Sequence, residues 1–137
     1  MLEVRRGLEE LAIEKTCERI TKEELERLEE AAEVFSGLVD SDNLVALAEA
    51  DVKFHDIIYR ATDNQRLIQL LFNLREQMYR YRVEYLKREE SHGTLLIEHK
   101  KIIEAIASRD MEASADAVCQ HIDNQVSAVI DTIRMKK

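Results

Sequence analysis

Three of the four histidines fall where helical spacing calls for core aliphatic residues. Over residues 44–62 the 3.6-residue period lines up Leu44, Leu47, Ala48, Asp51, His55, Ile58 and Thr62 on one face. Asp51 and His55 stand at i and i+4 in that stripe, one above the other. A second stripe of Leu95, Leu96, Ile102, Ile103 and Ile106 is interrupted by His99. A third, Ala117, Val118, Gln125, Ala128 and Val129, is interrupted by His121. A carboxylate and three imidazoles in core positions are costly unless something satisfies them. Mutual hydrogen bonds would do so. A divalent transition metal would also do so, since one Asp and three His form a suitable ligand set and the ion neutralises the carboxylate in place. Spacing alone leaves both open.

His92, between Ser91 and Gly93, reads as a solvent-exposed turn residue. With Glu89 it completes a Glu-x-x-His pattern, but two-metal carboxylate bundles need that pattern on two helices. None of the other three histidines has a Glu three residues before it, which excludes that reading. The sequence also has no HExxH, no glycine-rich phosphate loop and no GxSxG.

The elements that must position these residues are helices. There is no proline and there are only three glycines, while 45% of the 137 residues are hydrophobic and 35% charged. That composition suits one soluble all-α domain with long uninterrupted helices. The first helix is expected over Met1 to about Arg19, with Val4, Leu8, Leu11 and Ala12 facing inward. Thr21-Lys22-Glu23-Glu24 is a capping box opening a second helix that carries Leu25, Leu28, Ala32, Phe35 and Leu38. Asp40-Ser41-Asp42-Asn43 is a polar break before a third helix over about Leu44 to Ala61. After Thr62-Asp63-Asn64, one long helix from about Gln65 to Arg88 carries the stripe Leu67, Leu71, Leu74, Met78, Tyr81 and Tyr85. Ser91–Thr94 reads as a turn, followed by a helix over about Leu95 to Ser108 and a last one capped by Asp110. Six helices with short breaks predict an antiparallel bundle.

The formal net charge of −8 argues against this chain holding nucleic acid by itself. No apolar run reaches membrane-spanning length, and the first residues lack the apolar stretch of a signal peptide. Cys17 and Cys119, far apart and without CxxC spacing, read as reduced thiols of a cytoplasmic protein.

At this point four segments resemble a known family. Asp51-Val52-Lys53-Phe54-His55-Asp56-Ile57-Ile58-Tyr59-Arg60-Ala61-Thr62-Asp63-Asn64 is similar to the D-x-x-F-H-x-x-I-x-x-A-[ST]-x-N signature of the FadR-type C-terminal domain of GntR regulators. Glu98 to Asp110 resembles its E-H-x-x-I-x-x-A-I-x-x-x-D segment, and Ala117 to Ile122 its closing A-x-x-x-x-H-[LI]. Glu3-Val4-Arg5-Arg6-Gly7-Leu8-Glu9 is similar to the opening E-x-R-x-x-L-E. The segments come in order, at the expected separations, across almost the whole chain.

The resemblance implies an antiparallel bundle of six to seven helices around a central metal and ligand cavity. Its metal ligands would be Asp51, His55, His99 and His121, with zinc first among nickel, manganese and iron. It further implies a sensor of a small metabolite, often a carboxylate, that works as a homodimer and controls an N-terminal winged-helix head. Residues 1–137 would be the effector domain alone, without that head: either an excised fragment, the favoured reading, or a natural stand-alone sensor. The expected ligand contacts are Arg5, which matches the family's arginine, then Tyr79, Arg82, Arg75 and Asn64. A solvated arginine on a charged helix is the alternative for Arg5. The rival function is a metal-dependent hydrolase, but its base would have to be Glu98 or Asp56, both expected to point away from the ligands. A third reading is a dimerisation bundle with hydrogen-bonded histidines.

Overall fold

Helix formers and well-placed cap residues divide the chain into seven helices among the described residues. The structure, a computed structural model, describes the backbone of residues 2–41 and 43–135 and the side chains of residues 3–41 and 43–130. The expected start at Met1 and the share of Asp42 in the polar break lie outside the described residues. The elements are α1 (Leu2–Arg19), α2 (Lys22–Leu38), α3 (Leu44–Ala61), α4 (Gln65–Asn73), α5 (Arg75–Leu86), α6 (Glu89–Ala107) and α7 (Met111–Met135).

The caps act as their chemistry predicts. Thr21 Oγ1 accepts from Glu24 N while the Glu24 carboxylate accepts from Thr21 N, so two otherwise orphaned donors are satisfied reciprocally. Asn43, Asn64 and Asp110 accept from Ala46, Leu67 and Ala113 backbone N–H groups, opening α3, α4 and α7.

Two boundaries differ from expectation. The long helix over 65–88 is broken at Leu74, which sits at φ −92°, ψ 0° without any side-chain cap for α5. The bend lets α4 pack on α1 and α3 while α5 turns to α3 and α7. Met78, Arg82 and Tyr85 then form the buried face of α5, with Tyr81 only half-buried at its edge. Ser91–Thr94 is not a turn but lies within the first turns of α6. Ser91 is buried, and half-buried His92 donates through Nε2 to Leu86 O at 2.9 Å, tying the start of α6 to the end of α5.

The face of α1 also differs. Val4 and Leu11 are 57% and 42% exposed, and the buried face is Arg5, Glu9, Ala12, Ile13, Thr16 and Cys17. The pairs Arg5–Gln125, Glu10–Cys119 and Cys17–Ser114 show that α1 runs antiparallel to α7. A main core centred on Leu28, Phe54, Ile58, Leu71, Ile102, Ile106 and Ile122 is flanked by a smaller one around Phe35, Leu47, Leu86 and Leu95. Cys17 is buried and Cys119 half-buried, and both are free thiols. No helix is long and apolar enough to cross a membrane.

Candidate metal centre

The three interrupted stripes meet. α3 carries Asp51 and His55, α6 carries His99, and α7 carries His121, and all four side chains are buried. One ligand atom each from Asp51, His55 and His121 lies within 4.8 Å of the others. His99 stands beside that trio, its Nε2 2.8 Å from Asp51 Oδ1. Aromatic surfaces hold the rings in place. His99 stacks on Phe54 at 4.1 Å and meets Phe35 edge-on, while His55 stacks on His121 at 4.9 Å between centroids.

The electrostatics favour metal-ready protonation states at Asp51 and His55. Burial pushes the Asp51 carboxyl up, but neighbouring His55, the Arg82 guanidinium and the hydrogen bond from His99 outweigh it and hold it well below the usual carboxylate range. Arg82 Nε donates to Asp51 Oδ2, which leaves Oδ1 facing the imidazoles. Burial lowers the His55 pKa to about 4 despite the pull of Asp51, so this ring is a neutral base at neutral pH. His55 Nε2 lies 3.4 Å from Asp51 Oδ1 but is a buried nitrogen without a hydrogen-bond partner. A neutral imidazole with an idle ring nitrogen beside an ionised carboxylate is chemically suited to a divalent cation.

The remaining expected residues are distributed unevenly. Arg82 is buried against the centre through Asp51. Arg5, 3% exposed, reaches it through Gln125: its Nη2 donates to Gln125 Oε1 at 3.2 Å, and Gln125 Nε2 lies 3.4 Å from His121 Nε2. Glu9 stands 3.9 Å from the same Arg5 Nη2 and accepts from the Tyr59 hydroxyl. Arg5 Nε and Nη1 are buried donors without a protein acceptor. Arg75 and Tyr79 instead line an outer groove with Glu49, Lys53 and Asp56, where Arg75 pairs with Asp56 and lies over Phe72. Asn64 caps α4.

Two contributors escaped sequence reasoning. Glu98, expected to point away, is buried, and its Oε2 accepts from His121 Nδ1 at 2.8 Å. Its outer side borders a groove between α6 and α7, where Asn124 and the Tyr85 hydroxyl approach Oε1 at 3.5 and 3.4 Å. Gln125 stood in the third stripe as a polar interruption, and that position was the available signal. Asp56, the other base considered for a hydrolase, is on the outside of α3 in its pair with Arg75.

Comparison with known proteins agrees with this architecture. The FCD domain family profile matches residues 1–124. An uncharacterized HTH-type transcriptional regulator of Bacillus subtilis (strain 168), YdhC, is 25% identical over 126 residues. That match covers 88% of this chain but 54% of the regulator, so the chain spans about half the length of this curated relative. Among solved structures, E. coli McbR/YncC superposes with a TM-score of 0.86 at 14% identity, covering 95% of this chain and 66% of that one. At that identity the likeness speaks for the fold.

Proposed function

The chain belongs to the FCD domain family, the effector-binding domain of GntR-type transcription regulators, and on that premise we propose that it senses a small carboxylate through a divalent metal. The observation that carries this reading is the buried convergence of Asp51, His55 and His121 around the partnerless His55 nitrogen, with His99 alongside. These residues would hold the ion, zinc first among nickel, manganese and iron. When bound, the metal would act as a Lewis acid toward an oxygen of the effector.

The chain's own residues supply the rest. Asp51 contributes the charge that retains a dication, and Arg82 keeps that carboxylate ionised. Three neutral imidazoles and one carboxylate would leave the centre with a net charge of about +1, which attracts an anion when partly desolvated. Arg5 offers the two unpartnered donors needed for a second acidic group of the effector. Arg75 and Tyr79 on the outer groove and Asn64 at the α4 cap are remote from this arrangement and are not assigned to this ligand. Effector binding would shift the helices around Arg5 and His121, and in a homodimeric regulator that shift would pass to a winged-helix DNA-binding head lying outside this domain. The domain itself would contribute no DNA contact, consistent with its net charge of −8.

The test is metal analysis followed by calorimetry. Wild type should hold one divalent metal per chain. His55→Ala and His121→Ala should each lose it together with the zinc-dependent rise in thermal stability, while His92→Ala retains both. Metal-loaded protein should then bind at least one acid from a panel of citrate, malate, lactate and sugar acids. Wild-type metal content in the doubly substituted His55→Ala/His121→Ala protein would sink the assignment.

A further inference from the structure

Around His121 the direction of every hydrogen bond is determined by chemistry. Arg5 can only donate, so the Gln125 atom it meets at 3.2 Å must be the amide oxygen. The amide nitrogen therefore faces His121 Nε2, at 3.4 Å, and donates to it. On the far side of the ring, Glu98 Oε2 lies 2.8 Å from Nδ1. A carboxylate accepts, so Nδ1 carries the proton. The chain runs one way, from Arg5 on α1 through Gln125 and His121 on α7 to Glu98 on α6. Both ring nitrogens thus report the same tautomer: Nδ1–H, with the Nε2 lone pair accepting the long contact from Gln125, which a metal ion would replace.

We propose that Glu98 is the positioning residue of the centre, fixing His121 in the Nδ1-protonated tautomer so that Nε2 is held ready for a metal ion. The inference rests on the metal reading above and adds to it the residue that makes α7's imidazole a competent ligand. Free imidazole has no such constraint, and a ring with its proton on Nε2 would have to turn over or lose that proton before binding. His99 and His55 lack an equivalent carboxylate on the remote nitrogen among the described residues; His99 Nδ1 is buried without a partner. Glu98 is well placed for the task because it is 7% exposed and its Oε2 is turned to the ring, while the Tyr85 hydroxyl and the Asn124 amide approach Oε1 at 3.4 and 3.5 Å. Positioning of this kind commonly changes metal affinity by roughly 10–100-fold.

The decisive experiment reads the tautomer directly. Nitrogen-15 chemical shifts of the His121 ring, recorded at pH 8 on chelator-treated protein, should show Nδ1 protonated and Nε2 bare. In Glu98→Ala that preference should be lost, and zinc affinity, measured by competition with a chromophoric chelator, should fall roughly 10–100-fold. Glu98→Gln keeps an acceptor oxygen and should retain the tautomer with a smaller loss. A protonated Nε2 in the wild type, as the other tautomer or as imidazolium, would overturn the proposal, and that measurement stands even where Glu98→Ala fails to fold. Zinc affinity within twofold of wild type in a folded Glu98→Ala would overturn it as well. Because the shifts are read without metal, their failure is distinct from an absence of zinc binding by the wild type, which would count against the metal reading itself.

Discussion

Both ends of α1 are fastened by an arginine, and the two fastenings differ in kind. At the C-terminal end Arg109 spends its guanidinium on backbone carbonyls: Nη1 donates to Cys17 O at 2.9 Å and Glu18 O at 3.3 Å, and Nη2 to Ile20 O at 2.9 Å. Thr16 and Arg19 add bonds to the carbonyls of Ile58 and Thr62 on the end of α3. This satisfies acceptors that a helix end leaves open. At the N-terminal end Arg5 is more deeply buried, yet two of its donors have no acceptor. A stabilising arginine uses its donors on the fold, whereas one that keeps donors idle in the interior lowers stability unless something else arrives. The first is a clamp, and the second is consistent with a receptor for an anion.

Arg82 provides the largest effect and a scale for the other two. Its partner Asp51 is fully buried, so Arg82→Met leaves that carboxylate without its arginine counter-charge, held only by the hydrogen bond from His99. Chelator-treated Arg82→Met should lose about 3–5 kcal/mol in urea denaturation. Saturating zinc should restore most of it, because the ion takes over the neutralisation of Asp51. Equal losses with and without zinc would mean the metal does not reach that carboxylate.

Arg-to-Lys exchange at the two ends of α1 tests the contrast itself. Lysine keeps the charge and removes the fork. Arg109→Lys should lose about 1.5–3 kcal/mol of stability and leave anion titrations unchanged. Arg5→Lys should lose about 1 kcal/mol or less, since only Nη2 of the donors it replaces has a protein partner and the lysine ammonium can take its place, while binding of the responsive acid weakens roughly tenfold. Equal stability losses at the two ends would erase the distinction. The smallest expected effect is at Asn64, where alanine removes the α4 cap and should cost about 1 kcal/mol with no change in metal or acid titration.

How much of this was legible in the sequence depends on what surrounded each residue. Asp51 and His55 stood out because every other position of their stripe is apolar or small, and the same contrast marked His99 and His121. The opening stripe misled because its buried positions are themselves charged: Arg5 and Glu9 displace Val4 and Leu11 from the inner face. Glu98 was misjudged because α6 packs against α2, α7, α5 and α1, which buries a wider arc than one amphipathic stripe. The bend at Leu74 left no trace since it uses neither glycine, proline nor a capping side chain; tertiary packing of α4 and α5 on different neighbours produces it. The clamp by Arg109 was similarly invisible. It joins residues roughly ninety positions apart, and its donor sits at φ 56°, a left-handed conformation that an arginine adopts only in a specific setting.

The clamp gives α1 the mechanics of a lever. Its pivot is the knot of bonds around Cys17 to Ile20, and Arg5 lies on the arm about 18 Å away at ~1.5 Å of rise per residue. A pull of about 1 Å on Arg5 against such a pivot corresponds to a tilt of about 3° by simple trigonometry over that rise. Small movements at the buried guanidinium would therefore emerge as a change of angle rather than of position, and any segment joined to the N-terminal end of α1 would be swung by that angle in proportion to its own length.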